Sequence, residues 1–222
     1  DRRQRGVVTA AVDHLVVAAR TLEEGVQWCE DTLGITPGPG GKHPLMSTHN
    51  RLFSIASHAF PNAFFEIIAI DADAPPPGRA RWFGLDSIDL SGGPQLVTYV
   101  ARTTALDATL AALRNAGIDG GRALAASRDT PSGLLHWRIA VRDDGAVSCG
   151  GAMPTLIEWG ERHPAASMPP SGVVLRSLAV RGVARPAVAA FGLETATFTD
   201  TSGPAIEARL GTPSGPVTLT SP

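Results

Sequence analysis

The chain has 222 residues, which is enough for one large domain or two modest ones with a sizeable core. Hydrophobic residues make up 43% and charged residues 18%, so the composition excludes a disordered protein and is typical of a globular one. With 19 basic and 21 acidic residues the formal net charge is -2, and no basic run with interleaved aromatics occurs, which argues against a nucleic-acid partner.

Membrane and secretion signals are not expected. No apolar stretch approaches the ~20 residues that span a bilayer, so we expect no membrane partner. The charged start at 1–5 leads into a strand-like run and not into a signal-peptide core. Cys29 and Cys149 lie far apart without a metal-binding pattern, and two scattered cysteines favour buried thiols in a reducing compartment, with one disulfide as the alternative. These features predict a cytoplasmic protein.

The first part of the chain predicts the order β-α-β-β-β. A β-branched run at 12–17 is typical of a strand. A helix is predicted over 22–32, because Thr21 and Glu24 have capping-box spacing before apolar residues at helical intervals, and Gly34 suits its end. Extended segments are predicted from residue 35, over 51–56 and over 63–70.

The same order then starts again after a proline-rich linker at 71–78. Glu66 and Glu158 fall at matching places in the two closing strands, and such an internal repeat indicates a common topology. The second set of elements comprises strands over 95–101, 123–126, 134–141 and 155–160 and a helix over 105–116. The sequence therefore predicts an α+β protein of tandem βαβββ modules, at 10–90 and 91–170, with concave mixed sheets and flanking helices.

Residues 171–222 contain a shorter, partial repeat of this order of elements. A strand is predicted over 173–181 and a short helix over 186–191, and the Thr-Pro-Ser-Gly turn of 130–133 recurs at 212–215 before a final strand. Coincidence is the alternative, since Pro-Ser-Gly is a common turn. We interpret this segment as a partial third module that packs on the other two.

Five strings in the chain resemble a known family. They are VDHLVVAARTLEEGVQWCEDTLGI, GGKHPLMSTHNRLFSI, FFEIIAIDADAPPPGRARWFGLD, TPSGLLHWRIAV and PTLIEWGERHP. They are similar to the glyoxalase-like domain branch of the vicinal-oxygen-chelate (glyoxalase/bleomycin resistance/dioxygenase) superfamily, over nearly all of the chain up to about residue 170. The resemblance implies concave sheets around a divalent metal, which in many members binds two adjacent substrate oxygens and stabilises an enolate-like intermediate. Other members have no metal and only bind ligands.

His14 and Glu66 are the central site candidates. We expect Val12, His14 and Val16 to share one face of the first strand. The first and fourth strands of such a module lie side by side, so the imidazole and the carboxylate could face one cavity, where they would suit Zn²⁺, Mn²⁺, Ni²⁺ or Fe²⁺. A charged Glu66 between Phe and Ile residues is costly unless it is paired, protonated or metal-bound. The alternative is a structural His–Glu ion pair.

The sequence lacks one of the metal ligands that the family resemblance implies. The family implies a second His on the first strand of the second module, but the strand at 96–100 has none. His43 matches the Gly-Gly-x-His pattern and is preferred to His49 as its replacement. The predicted metal ligands are His14, His43 and Glu66. Glu66 and its symmetry partner Glu158, which could close the same cavity, are the predicted catalytic groups for moving a proton.

Five further residues are predicted to bind substrate: Thr48, Asn50, Arg81, Trp82 and Trp137. The first two could hydrogen-bond ligand oxygens or simply cap their loop. Arg81 beside Trp82 could clamp a carboxylate, although most arginines are solvated. Trp137 could line the cavity, with core packing as the alternative.

Two loop features complete the set of candidates. The glycines at 40–41 could bring backbone amides to an anionic ligand, or they form a tight turn. His163, which matches the family branch, is expected to cap the last strand.

Two classes of function follow. The favoured hypothesis is a metal-assisted lyase, isomerase or dioxygenase of the glyoxalase-like type, in which the metal acts as a Lewis acid on a carbonyl or enolate oxygen. The alternative is a metal-free protein that sequesters a small, largely apolar molecule, and a third hypothesis is a scaffold whose cavity has closed. The expected partner is a small molecule, and the expected assembly is a monomer or a homodimer.

Overall fold

The structure, a computed structural model, describes residues 9–222. The start at 1–5, which we interpreted as not being a signal peptide, lies outside the described residues. The strands are β1 Ala11–Ala18, β2 Lys42–His43, β3 Thr48–Ser54, β4 Phe64–Ile70, β5 Gln95–Arg102, β6 Arg122–Thr130, β7 Gly133–Val141, β8 Thr155–Trp159, β9 Val174–Arg181, β10 Thr197–Thr199, β11 Ile206–Thr212 and β12 Gly215–Thr220. The helices are α1 Leu22–Leu33, α2 Leu106–Asn115 and α3 Arg185–Phe191.

The first eight strands form one mixed sheet in the order β2-β3-β4-β1-β5-β8-β7-β6. In each half the first strand pairs in parallel with the fourth, β1 with β4 and β5 with β8. The two halves join through the antiparallel pair β1 and β5. The end strands β2 and β6 lie against each other, so the sheet curves almost into a barrel. The predicted α+β fold of tandem βαβββ modules is confirmed.

Helix α1 begins and ends close to the predicted residues, and the predicted capping residues Thr21 and Gly34 are present at its two ends. The Thr21 hydroxyl accepts a hydrogen bond from the Glu24 amide at 3.1 Å, which satisfies a free amide at the helix start. Gly34 ends the helix in the left-handed conformation, with φ 72°. Gly25 lets the helix approach β4, because a Cβ atom there would lie 2.3 Å from the Ile67 Cγ2 atom.

The last four strands form a separate sheet in the order β10-β9-β11-β12. Its elements again follow the chain order β-α-β-β-β, so the segment contains the full set and is not truncated. However, β9 pairs in parallel with β10 and antiparallel with β11, whereas β1 and β5 pair with the fourth strand of their modules. The third set of elements therefore repeats the order of the other two but not their strand pairing.

The two faces of the large sheet have different cores. One face shares a large core with the helices and with the C-terminal sheet, and this core includes Leu15, Phe65, Tyr99, Phe191 and Leu210. Backbone bonds join the same parts, since the Ala10 amide donates to the Phe191 carbonyl at 3.1 Å. The concave face carries a smaller core that includes Val16, Ile68, Trp82, Trp137 and Ile157. None of the helices within residues 9–222 has the length and apolarity that crossing a bilayer requires.

The shared core predicts that the C-terminal sheet unfolds together with the rest. Phe191 is fully buried, and Phe191→Ala should lower the free energy of unfolding by about 3–5 kcal/mol. All four tryptophans precede residue 171, so tryptophan fluorescence in a urea titration reports only on the large sheet, and we expect its midpoint to fall with that of circular dichroism.

Leu134→Ala is the control, because Leu134 is 47% exposed and its loss should change stability by less than about 0.5 kcal/mol. An unchanged fluorescence midpoint in Phe191→Ala would mean that residues 171–222 fold independently. The boundaries 10–90, 91–170 and 171–222 stay predictions until then.

Candidate functional site

A bulge in β1 gives the site its geometry. The pairing of β1 with β5 shifts between Val12 and His14. Val12 consequently lies in the large core with Leu15 and Val17, so the prediction that it shares a face with His14 is wrong. A bulge turns the strand locally and re-aims its side chains. Here it allows the Asp13 Oδ2 atom to lie 2.7 Å from the Nδ1 atom of its own neighbour, His14.

The imidazole and the carboxylate predicted at the centre of the site are in contact. Strands β1 and β4 are parallel neighbours, and the His14 Nε2 atom lies 3.2 Å from the Glu66 Oε2 atom. Both side chains are only 6% exposed. Each ring nitrogen of His14 therefore faces a buried carboxylate, Asp13 on one side and Glu66 on the other.

These contacts keep His14 protonated. Burial acts to lower its pKa, but the hydrogen bonds and charges of Asp13 and Glu66 raise the pKa to about 9. Burial likewise acts to raise the pKa of both carboxyl groups, yet their contacts with His14 leave each pKa below its ordinary value. At neutral pH the site contains an imidazolium between two carboxylates.

Asn50 connects Glu66 to the second predicted histidine. The Gly41 amide donates to the Asn50 Oδ1 atom at 2.9 Å, which fixes the orientation of the side-chain amide. The Asn50 Nδ2 group then donates to Glu66 Oε1 at 2.8 Å and to His43 Nε2 at 3.2 Å. This leaves the Nδ1–H of His43 to bond the Thr48 hydroxyl at 2.9 Å. Burial lowers the pKa of His43 to about 4, so its ring is neutral.

Asp13 is the functional residue that sequence reasoning missed. It is fully buried and accepts from His14, from the Trp159 indole at 3.2 Å and from the His163 Nε2–H at 2.7 Å. Arg102 lies 3.5 Å away. His163 does cap a 3₁₀ turn, because its Nδ1 atom accepts from the amide two residues on, but its other nitrogen reaches Asp13. The Asp-His dipeptide was the available signal, and regular strand alternation predicted opposite faces for its two members.

The side chains of His14, His43, Asn50 and Glu66 form a polar cluster that lines a cleft open to solvent. Most of the remaining lining is apolar or aromatic, and it includes Phe64, Trp82, Trp137, Ile139, Ile157 and Trp159. Aromatic rings pack directly on the polar cluster. Phe64 stacks on His14 with ring centres 4.4 Å apart, and Trp82 meets His43 edge-on at 5.2 Å. The structure thus brings Trp82 and Trp137 to the cleft, with Thr48 behind His43.

Glu158 does not close this cavity as we expected. Its strand neighbour Trp159 lines the cleft, and alternation along β8 puts Glu158 on the opposite face. There its carboxylate accepts from the Leu106 amide at 3.2 Å and pairs with Arg138 at 3.1 Å. Helix α2 has no side-chain cap from its own residue at the N-cap position, so Glu158 supplies one from a neighbouring strand.

Arg81 also lies away from the cleft. Its guanidinium donates to the Met46 carbonyl at 3.0 Å and to the Asp86 carboxylate at 2.6 Å. These bonds hold the 3₁₀ turn that carries Trp82. Arg81 therefore positions Trp82, which lines the cleft. Its guanidinium has no pair of N–H donors free to bind a substrate carboxylate in this arrangement.

The donors at the site do not fit a resident divalent metal. The His14 Nε2 atom contacts Glu66 at 3.2 Å and the His43 Nε2 atom contacts Asn50 at 3.2 Å, so both nitrogens already have partners in this arrangement. A zinc site needs at least three protein ligands with free lone pairs. Within residues 9–222 no three His, Cys, Asp or Glu side chains are grouped to hold an ion. We therefore assign no chemical step to a metal.

This fold and site define a protein of the vicinal-oxygen-chelate class. Residues 12–196 match the family described as the glyoxalase-like domain. The match spans more than half of the chain, and the chain belongs to this family. The resemblance found in the sequence is confirmed, and membership supports a small-molecule enzyme or binder.

Several solved structures are similar to this chain at low sequence identity. A hypothetical protein from Staphylococcus aureus is 14% identical, with 95% of this chain and 86% of that chain covered and a TM-score of 0.55. Methylmalonyl-CoA epimerase from Mycobacterium tuberculosis is 17% identical, with 74% and 96% covered and a TM-score of 0.43. The Streptomyces coelicolor epimerase is 15% identical, with 68% and 94% covered and a TM-score of 0.43. The search of curated proteins found no match.

The raised pKa of His14 predicts a stability that falls in mild alkali. Between about pH 6.5 and 9 the folded protein keeps a proton on His14 that the unfolded chain has lost. The free energy of unfolding should therefore fall as pH rises through this window, by up to about 1.4 kcal/mol per pH unit. Chemical denaturation at half-unit pH intervals measures this slope.

His14→Gln should lose the slope, whereas His58→Gln should keep it, because His58 is exposed. A wild-type protein whose stability is flat from pH 6.5 to 9 would contradict the imidazolium assignment.

Proposed function

We propose that this chain is a glyoxalase-like protein that binds and sequesters a small, largely apolar molecule in the cleft without a resident metal. The observation that carries the proposal is the combination of an aromatic lining with a polar cluster whose members hydrogen-bond one another. Ligand sites are typically concave and apolar with a few fixed polar groups that orient the ligand.

The protonation states of the polar cluster favour binding over proton transfer. A general acid or base works best with a pKa near the working pH. His14 has a pKa of about 9 and His43 a pKa of about 4, and the pKa of Glu66 is below its ordinary value. None of these groups changes its charge near neutrality, so the cluster acts as a fixed set of donors and acceptors.

The aromatic walls supply most of the binding surface. The indole rings of Trp137 and Trp159 lie 5.6 Å apart and present a continuous aromatic surface. Trp82 also lines the cleft, and its buried Nε1–H has no partner among residues 9–222. An unsatisfied buried donor costs about 1–3 kcal/mol, so a ligand oxygen that reached it would be bound favourably.

Removing one wall ring should weaken binding of uncharged aromatic molecules. With indole and 2-naphthol as probes in isothermal titration calorimetry, Trp137→Leu should raise Kd about tenfold, since stacking on an aromatic ring contributes about 0.5–1.5 kcal/mol beyond area burial.

Trp28→Leu is the matched control, because Trp28 packs on Phe65 in the large core and not in the cleft. Equal losses in the two variants, or no binding by the wild type, would contradict the proposal. Recovery of the probes in chemically altered form would instead favour an enzyme.

Divalent metals should leave the melting temperature unchanged. A ligand that binds only the folded state raises Tm with concentration, so Zn²⁺, Mn²⁺, Ni²⁺ and Fe²⁺ titrations test the donor set directly. We expect shifts below about 1 °C in wild-type protein. A rise with concentration that is lost in His14→Gln would restore the metal-assisted lyase, isomerase or dioxygenase hypothesis.

A further inference from the structure

Arg128 brings to the cleft a positive charge that no carboxylate contacts directly within residues 9–222. It lies on β6, is half-buried and lines the cleft beside the polar cluster. Its guanidinium makes no hydrogen bond or ion pair within 4 Å with any residue in 9–222, and Glu66 is the carboxylate whose charge acts on it. Arg122 on the same strand differs, since it pairs with Asp143 at 2.6 Å. Half-buried charges are costly unless they are compensated.

The backbone is shaped to admit this side chain. Strand β6 and the loop before β2 come together where the ends of the large sheet approach each other. A Cβ atom at Gly41 would lie 2.4 Å from the Arg128 Nη1 atom, so only glycine allows the guanidinium to lie there. The same glycine donates its amide to Asn50. The position of Arg128 is therefore tied to the polar cluster.

Among the charged groups around the cleft, Arg128 differs in having no partner within 4 Å among residues 9–222. Asp13 and Glu66 both contact His14, and Arg102 lies 3.5 Å from Asp13. A ligand with a single negative charge would supply the partner that Arg128 lacks.

We propose that the ligand of this cleft is a small monoanion, a planar carboxylate on an aromatic or apolar body, with the carboxylate on Arg128 and the body against the indole rings. The planar guanidinium fork matches a carboxylate in two parallel hydrogen bonds. A dianion would bring a second negative charge close to the Glu66 carboxylate, which lines the same cleft. The inference rests on the proposed binding function and names its substrate class.

Matched acid and amide pairs test the proposal. Benzoate and benzamide, trans-cinnamate and cinnamamide, and indole-3-acetate and indole-3-acetamide differ in charge but hardly in shape. By calorimetry at pH 7 the wild type should bind at least one acid about tenfold or more tighter than its amide. Phenyl phosphate, a dianion, should bind more weakly than benzoate.

Variants then assign the preference to Arg128. In Arg128→Gln the acid and the amide should bind within about threefold of each other, with the amide affinity kept, which also shows that the cleft is folded. Arg128→Lys should keep part of the preference, because it keeps the charge and loses the fork. Arg122→Gln, on the same strand, should retain the full preference.

The possible failures are distinguishable. Equal affinity for acid and amide in the wild type would overturn the monoanion proposal and leave the binding function standing. A preference that survives Arg128→Gln would overturn the role of Arg128. Binding of neither acids nor amides would overturn the binding function, and this inference with it.

Discussion

The site depends on a buried imidazolium between two carboxylates. His14 contacts Asp13 through one ring nitrogen and Glu66 through the other, and all three side chains are almost fully buried. Each charge would be costly alone, and loss of one partner would leave another uncompensated. The remaining polar groups arrange themselves around this triad. Asn50 donates a hydrogen bond to Glu66, and Trp159 and His163 donate to Asp13. The triad therefore positions residues that line the cleft.

The triad also joins the two halves of the large sheet. Asp13 and His14 belong to β1, whereas Trp159 ends β8 and His163 follows it. Direct pairing between the halves is limited to β1 with β5, and Asp13 adds a side-chain connection that crosses the sheet interface. The aromatic surface that we propose binds the ligand comes from both halves, with Trp82 from the first and Trp137 and Trp159 from the second, whereas the polar cluster comes entirely from the first. The cleft therefore requires both modules.

Much of this could be predicted from the sequence, and the exceptions have physical reasons. Local rules predicted α1, because Thr21 and Gly34 act within one turn of the helix. The repeat predicted the contact between His14 and Glu66, because it placed β1 beside β4. Strand alternation misplaced Val12, since a single bulge reverses it. The repeat likewise misplaced Glu158, because the two closing strands were matched one residue out of register, and Ile157 and Trp159 are the residues of β8 that face the cleft.

Arg128 and the C-terminal sheet show a second kind of limit. Arg128 reaches the cleft only because the two ends of the sheet meet, a closure that no local pattern in β6 indicates. The order of elements in residues 171–222 was recognisable, but its pairing was not, because β-α-β-β-β is compatible with more than one strand order. In both cases the missing information lies in contacts between residues that are far apart along the chain.

The different locations of Glu66 and Glu158 bear on how many ligands one chain binds. Glu66 lies in a ligand cleft, whereas Glu158 caps a helix from the other face of its strand. The two modules therefore share their order of elements but not their chemistry. Within the lining described for this cleft, the second module places no carboxylate opposite Glu66, and we expect one ligand to bind there per chain.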